Sequence, residues 1–145
     1  MSDPLPGAQA HIEAALELCA VIDDLPAETA LIPIAKVGVI GAGTMGGGIT
    51  MNFLSAGIPV TIVEQEQAAL DRGVGVMARN YEASVKRGRI EAADAEASMA
   101  RLTPSLSFDD LADCDLVIEA VYESMEVKKD VFGRLDAIVK PGAIL

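Results

Sequence analysis

Aromatic residues, cysteine, histidine and basic residues are all scarce in this chain of 145 residues. Aromatic residues make up 3% of it and Trp is absent, so stacking platforms for single-stranded nucleic acid are not expected. The 22 acidic residues outnumber the 11 basic ones, and a net charge of −11 argues against nucleic acid or an anionic membrane as a partner. Two cysteines are too few for a disulfide framework and favour a reducing compartment. We therefore expect a cytoplasmic protein, or a mitochondrial or peroxisomal one if the source is eukaryotic.

Residues 1–35 form an acidic lead-in that contains six acidic residues and no Lys or Arg. Ala8 to Ile22 has the apolar spacing of a helix, which Asp23-Asp24-Leu25-Pro26 is expected to end. The lead-in is interpreted either as a linker helix from a preceding domain or as a docked amino-terminal arm. The only histidine of the chain, His11, lies in this segment and is expected to be a surface or linker residue without a functional role.

From Lys36 onward, apolar strands alternate with helices, which predicts a parallel sheet covered by helices. The uncharged stretch from Val37 to Val63 is long enough to cross a bilayer, but its seven glycines and Pro59 argue against one long helix. We therefore expect no membrane span and an α/β fold, a Rossmann-type doubly wound sheet in a domain covering 36–145. Strands are predicted at 36–40, 59–63, 102–106 and 115–121, with a further strand beginning at 143. Helices are predicted over 44–56 and 91–100, over a long segment from 70 to 85, and over 127–138.

Six of the 13 glycines lie between Val37 and Ile49, and the run Gly41-Ala42-Gly43-Thr44-Met45-Gly46 matches the pattern G-x-G-x-x-G. The run follows a predicted strand and opens a predicted helix, as a dinucleotide-binding turn does. Gly41 allows the tight turn, Gly43 lets a diphosphate approach the backbone, and Gly46 lets the helix pack closely on the sheet. The amino-terminal end of the helix offers free N–H groups to that diphosphate.

Glu64 ends the second predicted strand, 23 residues after Gly41. A carboxylate in this position hydrogen-bonds the ribose hydroxyls of an adenosine and repels a 2′-phosphate. Because no Arg follows it directly in the sequence, NAD is favoured over NADP. The alternative without a ligand is a tight strand–helix turn followed by a solvated Glu.

The glycine run together with VIEAVYESMEVKKDVF, from Val117 to Phe132, resembles the NAD-binding domain of the 3-hydroxyacyl-CoA dehydrogenases. The resemblance covers about residues 36–145 and implies oxidation of a 3-hydroxyacyl-CoA by NAD in fatty-acid β-oxidation. It implies that Met45 and Glu64 contact the cofactor, and that Val121, Glu123 and Lys128 lie near the nicotinamide ribose. Glu119, inside a predicted strand, should either find hydrogen-bond donors or be neutral.

The catalytic His and Glu of this family follow the strand that begins at Ala143, so no catalytic residue is assigned in this chain, and no metal-site spacing appears. The resemblance implies an NAD-binding part that binds NAD(H) without turnover, incomplete at its carboxyl end, with an all-helical second domain to follow. A 3-hydroxyacyl-CoA would be the substrate of the intact enzyme, and the open edge of an incomplete sheet favours a homo-oligomer. Two alternatives stay open: a β-hydroxyacid dehydrogenase that acts on a small acid, and a non-catalytic dinucleotide-binding or structural module.

Overall fold

The computed structural model describes residues 7–19, 21–22, 25–26 and 28–145. The chain divides into two compact units, Met1–Ile32 and Pro33–Leu145. The described part of the first unit contains one helix, α1 (Ala8–Cys19), which has no buried residue and carries the exposed His11. The predicted helix extended to Ile22, which is wrong because Val21 and Ile22 are not helical, and its predicted break at Asp23-Asp24 lies outside the described residues.

The second unit is built on a sheet of four parallel strands in the order β3-β2-β1-β4. The strands are β1 (Val37–Ile40), β2 (Val60–Val63), β3 (Leu102–Ser105) and β4 (Leu116–Glu119). The helices are α2 (Thr44–Ser55), α3 (Gln67–Lys86), α4 (Ala92–Ala100) and α5 (Met125–Ile138). This is the predicted doubly wound fold, because the chain builds outward from β1 to β3 and then returns to place β4 on the other side of β1.

The alternation of side chains along the strands divides the core into two clusters on opposite faces of the sheet. The first cluster surrounds Val37, Val39 and Ile62 and includes Leu54 of α2 and Met77 of α3. The second surrounds Ile40, Val63 and Val117. Its remaining members are Cys114 and residues of α5 and of a short 3-10 helix that the sequence did not predict: Phe108, Leu111, Val131 and Leu135.

Three details of the sheet differ from the sequence prediction. β4 is shorter than the predicted strand 115–121, because the chain leaves the sheet after Glu119. The predicted strand beginning at Ala143 is a single bridge between Leu116 and Ile144. Asp115 lies just before β4, and its carboxylate accepts hydrogen bonds from the N–H groups of Ala35 and Lys36. Its ion pair with Lys140, together with those two N–H donors, lowers the pKa of the Asp115 carboxyl to about 2.

The register places the carboxyl ends of all four strands at one edge of the sheet. Ile40 pairs with Val63 and with Glu119, and Val63 pairs with Ser105. In doubly wound sheets ligands bind at this edge, where the strand order reverses, which here lies between β1 and β4. No helix within the described residues is long and apolar enough to cross a membrane.

Candidate functional site

The turn after β1 requires glycine at Gly41. Its φ angle is +99°, a conformation that residues with a side chain rarely adopt, and a Cβ there would lie 2.8 Å from the carbonyl oxygen of Ala120. The turn therefore passes directly against the backbone that follows β4. The N–H of Gly41 donates to the carbonyl oxygen of Val63, which ties the same turn to the end of β2.

Gly46 and Gly73 let two helices approach this turn. A Cβ on Gly46 would overlap the carbonyl oxygen of Gly41, so α2 can start beside the turn only with glycine at that position. A Cβ on Gly73, in the middle of α3, would overlap the carbonyl oxygen of Ala42. Gly73 therefore allows close contact between α3 and the turn, which the sequence did not indicate.

Gly43 differs from Gly41 and Gly46, the other two glycines of the motif. Its φ of −70° and ψ of −171° are open to any residue, and a Cβ added to it would have none of the described atoms within 4 Å. Neither the backbone nor the packing of the described residues explains a glycine here. Close approach of a ligand to the backbone does explain it.

Gly43 is also the N-cap of α2 and has no side chain with which to accept from the N–H groups of the first turn. The first turn contains no acidic residue, and Thr44 and Met45 are both exposed there. The amino-terminal end of α2 therefore presents uncapped N–H groups and a partial positive charge, the combination that binds a diphosphate.

Glu64 lies beside this turn, directly after β2. Its Oε1 accepts from the N–H of Ala42 at 2.8 Å, and its Oε2 accepts from the N–H of Gln65 at 3.1 Å. Each carboxylate oxygen retains capacity for a further hydrogen bond, so the group can still accept from a ribose diol. The contact with Ala42 means that Glu64 also fixes the position of the glycine turn, a role that the sequence did not indicate.

A second group of charged residues lies where the chain leaves β4. The Lys128 ammonium is 2.5 Å from Oε2 of Glu119 and 3.3 Å from Oε2 of Glu123. Its hydrogen bond lowers the pKa of the Glu119 carboxyl although burial opposes that shift, and the same bond raises the pKa of Lys128. Glu119 has therefore found donors and is ionised, which resolves the question that the sequence left open.

Two cavities flank the turn, and Glu64 lines both. One, of about 480 Å³, lies between the ends of β2 and β4 and is also lined by Gly41, Val121 and Tyr122. The other, of about 450 Å³, lies between the turn and α3. Gly43, Thr44 and Arg72 line this second cavity. Arg72 shares this cavity with Glu64 because α3 passes over the turn, a proximity that no spacing in the sequence indicates.

The predicted site residues thus fall into two neighbouring groups at one edge of the sheet. Gly41, Gly43, Thr44, Met45, Gly46 and Glu64 surround the turn between β1 and α2, whereas Val121, Glu123 and Lys128 follow β4. Val121 is half-buried and lines the 480 Å³ cavity beside Gly41, which brings the two groups together. A glycine-rich turn, an uncapped helix and a strand-end carboxylate in this arrangement define a dinucleotide-binding protein.

Comparison with known proteins identifies the family of dinucleotide-binding proteins to which the chain belongs. The family model described as 3-hydroxyacyl-CoA dehydrogenase, NAD binding domain, matches residues 36–145. A probable 3-hydroxybutyryl-CoA dehydrogenase of Deinococcus radiodurans is 42% identical over 110 residues, which cover 76% of this chain and 39% of that protein. A peroxisomal bifunctional enzyme of Cavia porcellus is 40% identical over 113 residues, which cover 78% of this chain and 15% of that enzyme.

A solved structure agrees with these sequence relatives. The (S)-3-hydroxybutyryl-CoA dehydrogenase of Ralstonia eutropha superposes with a TM-score of 0.75 at 36% identity, over 77% of this chain and 40% of that one. The chain belongs to the NAD-binding domain family of the 3-hydroxyacyl-CoA dehydrogenases, and its cofactor is NAD. It spans about two fifths of the length of the Deinococcus relative.

Proposed function

We propose that NAD lies along the carboxyl edge of β2, β1 and β4, across the two groups of site residues. In this proposal the diphosphate lies over Gly43 at the amino-terminal end of α2, within reach of the uncapped N–H groups of Thr44 and Met45. Glu64 binds the hydroxyls of the adenosine ribose, and Glu123 and Lys128 bind the ribose on the nicotinamide side. Gly41 and Gly46 hold the turn in place and Val121 supports it from β4.

The observation that carries this proposal is the bare backbone at Gly43. The other two glycines of the motif are explained by a positive φ or by a backbone overlap within the chain, and Gly43 by neither. A ligand that needs the space of a Cβ supplies a physical reason for glycine there, and an uncapped helix end favours an anion as that ligand.

We further propose that the intact protein oxidises the C3 hydroxyl of a 3-hydroxyacyl-CoA by hydride transfer to NAD. The names of the Deinococcus, Cavia and Ralstonia relatives support an acyl-CoA substrate over a small hydroxyacid, and an enzyme over a structural module. NAD supplies the hydride acceptor when bound, and the residues of this chain bind and orient it. The division into a lead-in, 1–35, and an NAD-binding domain, 36–145, belongs to the same proposal.

The cellular setting and the assembly are proposals as well. Cys19 and Cys114 are both free, and burial raises the pKa of the Cys114 thiol to about 11, which suits a reducing compartment such as the cytoplasm, a mitochondrion or a peroxisome. The homo-oligomer stays a prediction from the sequence.

Binding and turnover can be separated in one assay of the 145-residue chain. We expect the folded chain to bind NADH, followed by NADH fluorescence, and to show no oxidation of NADH when acetoacetyl-CoA is added. The reason is that the described residues at the carboxyl edge supply groups for a cofactor and no His to carry a proton. Oxidation of NADH that depends on acetoacetyl-CoA and survives repurification of the chain would contradict the proposal.

A further inference from the structure

Glu119 occupies an unusual place for an ionised side chain. It is the last residue of β4, and 5% of its side chain is exposed. Its Oε1 accepts from the N–H of Val121 at 2.8 Å, and its Oε2 accepts from the ammonium of Lys128 at 2.5 Å. Each oxygen therefore engages a different part of the chain that follows the strand.

Stability alone does not explain a carboxylate in this position. Burying the carboxylate of Glu119 costs free energy that its attraction to the partly exposed Lys128 returns only in part, so an apolar side chain often serves a fold equally well. What Glu119 provides is geometry. One hydrogen bond shapes the turn from Ala120 to Val121 beside Gly41, and the other fixes Lys128, which lies nine residues further along in α5.

This geometry leaves Lys128 with a free donor, and Glu123 with a free acceptor, for the two hydroxyls of a diol. An ammonium has three N–H donors. The Lys128 ammonium donates one of them to Oε2 of Glu119, and its nitrogen lies 3.3 Å from Oε2 of Glu123. Glu123 is 87% exposed, so it can accept a hydrogen bond from a ligand while Lys128 donates one. Without Glu119 the ammonium would keep only this exposed partner, and an exposed ion pair holds a long side chain weakly.

We propose that Glu119 is a positioning residue for the cofactor, which holds the Lys128 ammonium in place so that Lys128 and Glu123 together bind the nicotinamide-side ribose of NAD. The proposal rests on the NAD-binding function above and adds a residue that acts through Lys128 rather than on the cofactor itself. It predicts that Glu119 matters for the nicotinamide half of the ligand and not for the adenosine half.

The test compares two ligands on the 145-residue chain carrying Glu119→Gln. Glutamine keeps the size and can accept from the N–H of Val121, but it removes the charge that holds Lys128. We expect the Kd for NADH to rise about tenfold, because one charge-assisted hydrogen bond is lost. We expect the Kd for ADP, which lacks the nicotinamide half, to stay unchanged, whereas general damage to the fold would weaken both ligands.

Two further variants make the test specific. Lys128→Met should weaken NADH binding by itself, and adding Glu119→Gln to it should have little further effect, since the two residues act as one unit. Glu126→Gln, on the exposed first turn of α5, is the matched control and should bind NADH as the unaltered chain does.

The outcomes separate this proposal from the function on which it rests. If the unaltered chain binds no NADH, both the proposed function and the role of Glu119 are refuted. If the unaltered chain binds NADH and the Glu119→Gln chain binds it equally well, or loses ADP in parallel, the role of Glu119 alone is refuted. If Glu119→Gln does not fold by circular dichroism, Lys128→Met replaces it, and unchanged NADH affinity in that variant refutes the role of Lys128 and with it the role of Glu119.

Discussion

Gly46→Ala is expected to lower the free energy of unfolding by about 3 kcal/mol, the upper end of the cost of overpacking, because the new methyl group overlaps a backbone oxygen rather than a movable side chain. The overlap is with the carbonyl oxygen of Gly41, so relief requires α2 to move away from the turn after β1. Small domains are stable by about 5–15 kcal/mol, so this loss is large. Urea unfolding followed by circular dichroism measures it.

Gly48→Ala is the matched control for this variant. Gly48 lies two residues after Gly46 in the same helix and is exposed. A Cβ added to it would have no described atom within 4 Å. Alanine should therefore stabilise the helix by about 0.5–1 kcal/mol through its better helix propensity. Equal unfolding free energies for the two variants would show that α2 does not depend on close contact with the turn.

Gly43→Ala is expected to have the opposite profile, with a large effect on the cofactor and a small one on the fold. The backbone at Gly43 suits alanine and no described atom crowds its Cβ, so the unfolding free energy should fall by no more than about 1 kcal/mol, the cost of alanine at an N-cap. A methyl group in the path of the diphosphate should raise the Kd for NADH on the order of 30-fold, which corresponds to about 2 kcal/mol. Calorimetric titration of the folded variant measures the loss.

Gly133→Ala provides the control for binding. Gly133 is an exposed residue of α5 whose added Cβ would also have no described atom within 4 Å. It should leave the affinity for NADH unchanged. If the Gly43→Ala chain binds NADH as tightly as the Gly133→Ala chain, the diphosphate does not lie over Gly43 and the proposed binding mode is contradicted.

The parts of the fold that the sequence predicted correctly are those with a local signal. Strands β1 and β2 are uninterrupted apolar runs, and the spacing of Leu70, Met77 and Tyr81 marks α3. The glycine motif and Glu64 follow two apolar runs on the sequence, which predicted correctly that both lie at the carboxyl ends of neighbouring strands. The 3-10 helix at Phe108–Leu111 escaped prediction because four residues carry too little periodicity to be read.

The parts that could not be predicted depend on contacts between distant residues. The two ends of β4 are an example. Asp115 precedes the strand and Glu119 is its last residue, and their carboxylates accept from the N–H groups of Lys36 and Val121. The apolar pattern of the sequence contains no sign of these contacts. The contact of Gly73 with Ala42 leaves no signal in the sequence, because the two residues belong to different elements. The proximity of Arg72 to Glu64 likewise follows from the path of α3 over the turn and not from any spacing in the sequence.

The most direct test of the central claim is calorimetric titration of the unaltered, folded 145-residue chain with NADH and, in parallel, with NADPH. We expect NADH to bind and NADPH to bind at least about tenfold more weakly, because the carboxylate of Glu64 accepts from a ribose diol and repels a 2′-phosphate. Equal affinity for the two would contradict the role of Glu64 and would point to Arg72, across the same cavity, as a partner for that phosphate. Binding of neither ligand by the folded chain would contradict the cofactor site itself.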